Sequence, residues 1–156
     1  MKKEMNNKGF SLVELIIVVA IMAVLIGVLA PAYLQYVEKS KKTKDCGAVG
    51  SIMDACEIVA GDPAITWASG EAITITVNSS SAAYQNGAVD VKVTNKLDEI
   101  VAESKTRLAG SWSTIQFTAT KEANGTVVFS NSTTNANNMS NAAIAEISPE
   151  LEARFN

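Results

Sequence analysis

Histidine is absent from the 156-residue sequence, and cysteine occurs only as Cys46 and Cys56. Without imidazole, histidine-dependent triads are excluded and most metal sites lose their commonest ligand, so no metal, cofactor or catalytic residue is assigned. A catalytic site would have to rest on carboxylate, lysine, serine or tyrosine. Pairs such as Asp98 and Glu99 are adjacent, and on a helix adjacent side chains point apart. If Cys46 and Cys56 share one helix, their separation is about 15 Å along its axis, beyond disulfide reach, and both read as small core residues. Positive charge is scarce in the C-terminal part: from Asp45 onward six basic residues face thirteen acidic ones, a balance of −7. That argues against nucleic-acid binding. No internal repeat is present, and the length suits one modest domain plus an anchoring helix.

What is abundant is apolar and concentrated. Every residue from 15 to 30 is aliphatic, Met, Ala or Gly. Three fates are open to such a run: a cleaved secretory signal, an ordinary membrane anchor, or a segment retained after an unusual cut. A secretory core is about 7–15 residues and ends at a small-residue site. The run here is longer, and Ala30-Pro31-Ala32 imitates that site only with a proline inside it. Residues 10–30 suffice to cross a hydrocarbon core of about 30 Å. Glu14 lies near the start of that span, where a carboxylate costs up to roughly 2.5–3.5 kcal/mol. It needs a partner unless it sits solvated at the headgroup level.

The stretch Lys8-Gly9-Phe10-Ser11-Leu12-Val13-Glu14 resembles the cleavage and methylation motif of type IV prepilins. The resemblance implies that a prepilin peptidase cuts between Gly9 and Phe10, removing a short basic leader, and N-methylates Phe10. It also implies that Glu14 neutralises the terminal amine of an adjacent subunit during assembly. The chemistry agrees: Gly9 offers a protease no side chain to clash with, the new Phe10 amine would titrate near 7.7–8.0, and a carboxylate in the first helical turn suits the helix dipole. The four lysines at 39–44 outnumber the three before the span, against the positive-inside rule, but a long head crosses largely regardless of charge. The lysine run itself reads as a solvated helix face.

Pro31, Tyr33 and Tyr36 also resemble positions that follow the span in pilins. Pro31 cannot donate to the carbonyl of Gly27, leaving a weak point between two helical halves. A simple kink and a stretch that loosens once the subunit leaves the bilayer are both open. Beyond it, Cys46, Val49, Ile52, Met53, Cys56, Val59 and Ala60 recur at helical spacing, and Gly61-Asp62-Pro63 ends the pattern. The expected fold is α+β, pilin-like: a long N-terminal helix packed against a small antiparallel sheet. The expected divisions are a cleaved leader at 1–9, a transmembrane or filament-core helix at 10–31, an amphipathic second half at 32–61 and a globular head at 62–156. Alternation predicts strands at 73–77, 89–93, 114–120 and 126–130, with an Asn124-Gly125 turn joining the last two. A short helix through Leu97, Ile100, Val101, Ser104 and Leu108 would open at Asn95 and close at Gly110. Residues 142–147 and 150–155 read as short helical turns, the latter behind Ser148-Pro149. Trp67 and Trp112 read as core anchors. Asn78, Asn124, Asn131 and Asn138 fit the N-glycosylation pattern, in loops rich enough in Asn, Ser and Thr for chance matches.

By resemblance the chain is a filament subunit. Its partners would be copies of itself and minor pilins, the prepilin peptidase, an assembly platform and, before assembly, the membrane, with the leader in the cytoplasm and the head outside. The filament would serve adhesion, aggregation, twitching motility or DNA uptake. The alternatives are a pseudopilin of a type II secretion or competence system, and a monomeric membrane-tethered binding domain.

Overall fold

A computed structural model of the chain describes residues 10–86, 90–102, 108–133 and 138–155. Helix α1, Leu12–Gly61, runs unbroken through Pro31, followed by strands β1 (Ala72–Asn78) and β2 (Ala82–Asn86), helix α2 (Val91–Ala102), strands β3 (Thr114–Lys121) and β4 (Val127–Asn131), and the short helices α3 (Asn141–Ala145) and α4 (Pro149–Glu152). The architecture is α+β. The chain divides into two compact units, Met1–Val37 and Glu38–Asn156, with the boundary inside α1.

In the second unit α1 buries Cys46, Val49, Ile52, Met53, Ala55, Cys56, Val59 and Ala60, the helical face the spacing predicts. The same core takes Ile73, Ile75 and Val77 from β1, Ile115, Phe117 and Ala119 from β3, and Phe129 from β4. β1 and β3 alternate because one sheet face meets that core while Thr74, Thr76, Gln116 and Thr118 lie on the other. Trp67 and Trp112 are both buried, as expected. Trp67 Nε1 donates to the Glu71 carbonyl at 3.0 Å, which removes the cost of burying an indole N–H.

The sheet order is β2-β1-β3-β4, antiparallel throughout. Ile75 faces Phe117 across β1 and β3, and Thr118 faces Ser130 across β3 and β4. At the β3–β4 turn the Glu122 N–H donates to Thr126 O at 2.8 Å, and Gly125 has φ +89°, a conformation that needs glycine. α1 stops at Gly61, where Asp62 Oδ1 takes the Ala64 N–H at 2.8 Å and the Lys121 ammonium donates to the Ala60 carbonyl at 2.9 Å. A cation on the last carbonyls complements the helix dipole.

One expected strand is wrong. Residues 91–93 of the alternating Val-Asp-Val-Lys-Val stretch open α2 instead, with the Asp90 carboxylate accepting the Lys92 N–H at 3.0 Å. The two-residue alternation there competes with a four-residue spacing, Val93, Leu97 and Val101, which are the buried residues of α2 among those described, while Val91 is exposed. Asn95 therefore lies inside the helix rather than at its start; α2 is described as far as Ala102, and Gly110 does not close it, since Leu108 and Ala109 before it are not helical. Leu108 is buried but outside it, and Ser104 and Val89 fall outside the described residues. The fourth strand is β2, whose Ala-Ala-Tyr-Gln-Asn sequence has no β-branched residue to announce it.

Candidate functional site

From Phe10 to Val37 the sequence holds one charged residue, Glu14. Every residue from 10 to 36 is exposed, including Phe10 at 87% and the aliphatic side chains of Leu12, Ile16, Val19, Ile26 and Leu34. Because every residue from 15 to 30 is aliphatic, Met, Ala or Gly, that stretch of the helix is apolar on all sides and has no polar face for water. Gly27 has open space where a Cβ would sit, and Pro31 is accommodated within the helix. Gly9 lies outside the described residues.

Glu14 Oε2 accepts the backbone N–H of Ser11 at 2.9 Å, and the Leu15 N–H donates to the Ser11 carbonyl at 3.2 Å. This is the carboxylate half of a capping box: the third helical residue reaches back to an N–H that the helix itself leaves without a partner. Ser11-Leu12-Val13-Glu14 carries that signal in the sequence, a Ser followed by Glu three residues on, which the reading of Glu14 as a partnered charge suited to the helix dipole does not include. The cap fixes where α1 begins, and it holds the carboxylate at the level of Phe10, where an amine would stand if the chain began there.

Four further charged residues in the second unit make contacts that were also missed. Asp45 is fully buried on the apolar face of α1, and its two oxygens accept the Ala109 and Gly110 N–H groups at 2.7 and 2.8 Å. One turn pair earlier, Glu38 Oε1 accepts the Ser111 N–H, which holds its carboxyl below the usual range. Lys42 lies 5.3 Å from the Trp112 ring centroid, so one member of the lysine run packs against the head instead of being merely solvated. At the other end of the chain Arg154 bridges Asp54 and Glu57, each at 2.8 Å, with its guanidinium 5.6 Å from the Phe129 ring. Asp45 falls in helical register with Val49, Ile52 and Cys56, so an acid on the core face was the available signal; nothing local marks Arg154 as its partner's clamp.

Cys46 and Cys56 are free and buried, as expected. Burial pushes their thiols up to about 11 and about 12, so neither is a nucleophile at neutral pH. Among the described residues no group of His, Cys, Asp and Glu is placed to hold a metal ion.

Comparison with known proteins bears on the N-terminal segment. Residues 5–30 match the prokaryotic N-terminal methylation motif. This N-terminal segment is similar to that of type IV pilins. Over 45 residues it is 42% identical to Fimbrial protein Q and to the type IV major alpha-pilin, both of Moraxella bovis. That stretch is 29% of this chain and spans only 29% and 28% of the length of those two proteins. No solved structure matches. The capped start at Ser11, Glu14 and the exposed apolar residues up to 30 lie within the matched motif, and the architecture is α+β and pilin-like.

Proposed function

We propose that the protein is a structural subunit of a type IV pilus. One observation carries the proposal: the first 25 residues or so of α1 are apolar on every side and wholly exposed. Such a helix is stable only under lipid or under other apolar helices, because each aliphatic side chain left in water forfeits about 1.5–3 kcal/mol. One cover serves the precursor and the other the filament. The precursor inserts as a single-pass protein with its leader in the cytoplasm and its head outside. Cleavage after Gly9 then frees the Phe10 amine, which is N-methylated, and the helices bundle into a surface filament.

Glu14 has two tasks in this scheme. One carboxylate oxygen holds the Ser11 N–H, and the charge as a whole offsets the Phe10 amine of a neighbouring copy as both leave water. The supporting partners are the prepilin peptidase and a membrane assembly platform. The role is structural rather than enzymatic, and the ordinary motif favours a major subunit.

Intact mass and N-terminal sequencing of the protein from its native cells test this directly. The expected chain begins at N-methylated Phe10 and is recovered in sheared surface filaments. A chain beginning at Met1 or Ala32 would overturn the proposal.

A further inference from the structure

The four Asn-x-Ser/Thr sites differ sharply once folded. Asn131 donates its Nδ2 to the Met139 carbonyl at 3.1 Å and is half-buried, so its amide nitrogen is already engaged. Asn78 closes strand β1 and is half-buried, with Oδ1 holding the Ser80 and Ser81 N–H groups, and Asn138 is half-buried as well. Asn124 alone of the four is exposed, at the tip of the β3–β4 hairpin. Its Oδ1 accepts both the N–H and the hydroxyl of Thr126, at 3.0 and 2.7 Å, while its Nδ2 makes no hydrogen bond among the described residues. The hydroxyl two positions on, the part of the pattern a transferase reads, thus fixes the carboxamide with its nitrogen outward.

The flanking residues point the same way. Two positions before Asn124 stands Glu122, exposed, whereas the corresponding residues before Asn78, Asn131 and Asn138 are Thr76, Phe129 and Ala136. Only the Asn124 site reads acidic-x-Asn-x-Thr, which adds a carboxylate that a cationic transferase groove can bind by a charge-assisted contact. Gly125 at the x position puts no side chain in the way.

We propose that Asn124 is an N-glycosylation site, modified by transfer of an oligosaccharide from a polyprenyl-diphosphate carrier. In the transfer Nδ2 forms a bond to C1 of the first sugar, the C1–oxygen bond to the diphosphate breaks, and the polyprenyl diphosphate leaves with that electron pair. The displaced amide proton passes to a base of the transferase. No oxidation or reduction is involved. The hairpin tip belongs to the second unit, so a glycan there would modify the surface of the head.

The test is mass spectrometry of the full chain taken from the outer surface of its native cells. No lysine or arginine lies between Lys121 and Arg154, so one tryptic peptide contains Asn124, Asn131 and Asn138, and glycan-preserving fragmentation must locate the sugar. The expected result is a glycan on Asn124, lost in Asn124→Gln and Thr126→Ala, kept in Thr126→Ser, and present on only a minor fraction in Glu122→Gln. Because Glu122→Gln and Thr126→Ser leave the hairpin's contacts in place, they separate recognition from misfolding. An exported chain with unmodified or merely deamidated Asn124, or with its glycan on Asn78, Asn131 or Asn138, would overturn the proposal.

Discussion

Replacing Asp45 by alanine removes the acceptor of two backbone N–H groups at once. Asp45 is 0% exposed, and it holds Ala109 and Gly110 from 64 and 65 positions away in the chain. Hydrogen bonds to a charged acceptor are worth about 1.5–3 kcal/mol each. Ala109 is exposed and Gly110 half-buried, so water re-satisfies part of that loss, and the net destabilisation is about 2–4 kcal/mol. Asp45→Asn keeps one acceptor and turns an NH₂ toward the other N–H, for about half that cost or somewhat more. Gly110 supplies an independent handle on the same contact, because a Cβ there would lie 2.9 Å from Asp45 Oδ2 and 3.1 Å from Lys42 Cγ. Gly110→Ala should therefore cost about 1–3 kcal/mol by overpacking. In the Asp45→Ala background it should cost distinctly less, since the two act on one contact. The assay is urea unfolding of the full chain in detergent, followed by tryptophan fluorescence, because Trp112 adjoins the contact and Trp67 reports on the rest of the head. If Asp45→Ala and Asp45→Asn both stay within about 0.5 kcal/mol of the parent, or if Gly110→Ala adds in full to Asp45→Ala, the reasoning fails.

Glu14→Gln keeps an oxygen for the Ser11 N–H but removes the charge, whereas Glu14→Ala removes both; filament yield should fall strongly in each, while amide exchange at Ser11 should rise only in Glu14→Ala. Normal filament yield from Glu14→Gln would show that the charge is dispensable. Arg154→Ala should destabilise the head by about 1–2 kcal/mol, because its partners Asp54 and Glu57 are largely exposed and water screens both pairs, and Arg154→Lys should recover only part of the loss by thermal melting. Cys46 and Cys56, raised to about 11 and 12 by burial, should resist iodoacetamide at pH 8 in the folded chain and react fully once unfolded. Glu38 is held below its ordinary value of 4.5, so its contribution is present above that pH and is lost as pH falls through the lowered folded value. Glu38→Gln should accordingly flatten the acid limb of the stability curve, read as the difference in unfolding midpoint between pH 6 and pH 3.

The sequence by itself determined whatever depends on neighbours within a few positions. The apolar run from Leu15, the lone Glu14, the buried stripe from Cys46 to Ala60 and the stop at Gly61 are all periodic or compositional, and a helix of that kind has few alternatives. The β3–β4 hairpin was equally legible, because Asn124-Gly125 supplies its own turn chemistry. The motif around Gly9 and Phe10 was read from residue identity alone. Tertiary structure decided the cases where two local patterns fit the same residues. Val91 and Val93 suit a strand or a helix, and the helix prevails because it brings Val93, Leu97 and Val101 into the core together. β2 exists because β1 presents it an edge, not because its own residues favour extension. The same holds for polar groups: Glu38, Lys121 and Arg154 look solvated in sequence, Asp45 shows only that it shares the core face, and the partners of all four are set by which loop or helix end the fold brings within 3 Å or so. Periodicity records which face of an element is buried, but only the packed chain decides which distant backbone group must be satisfied there.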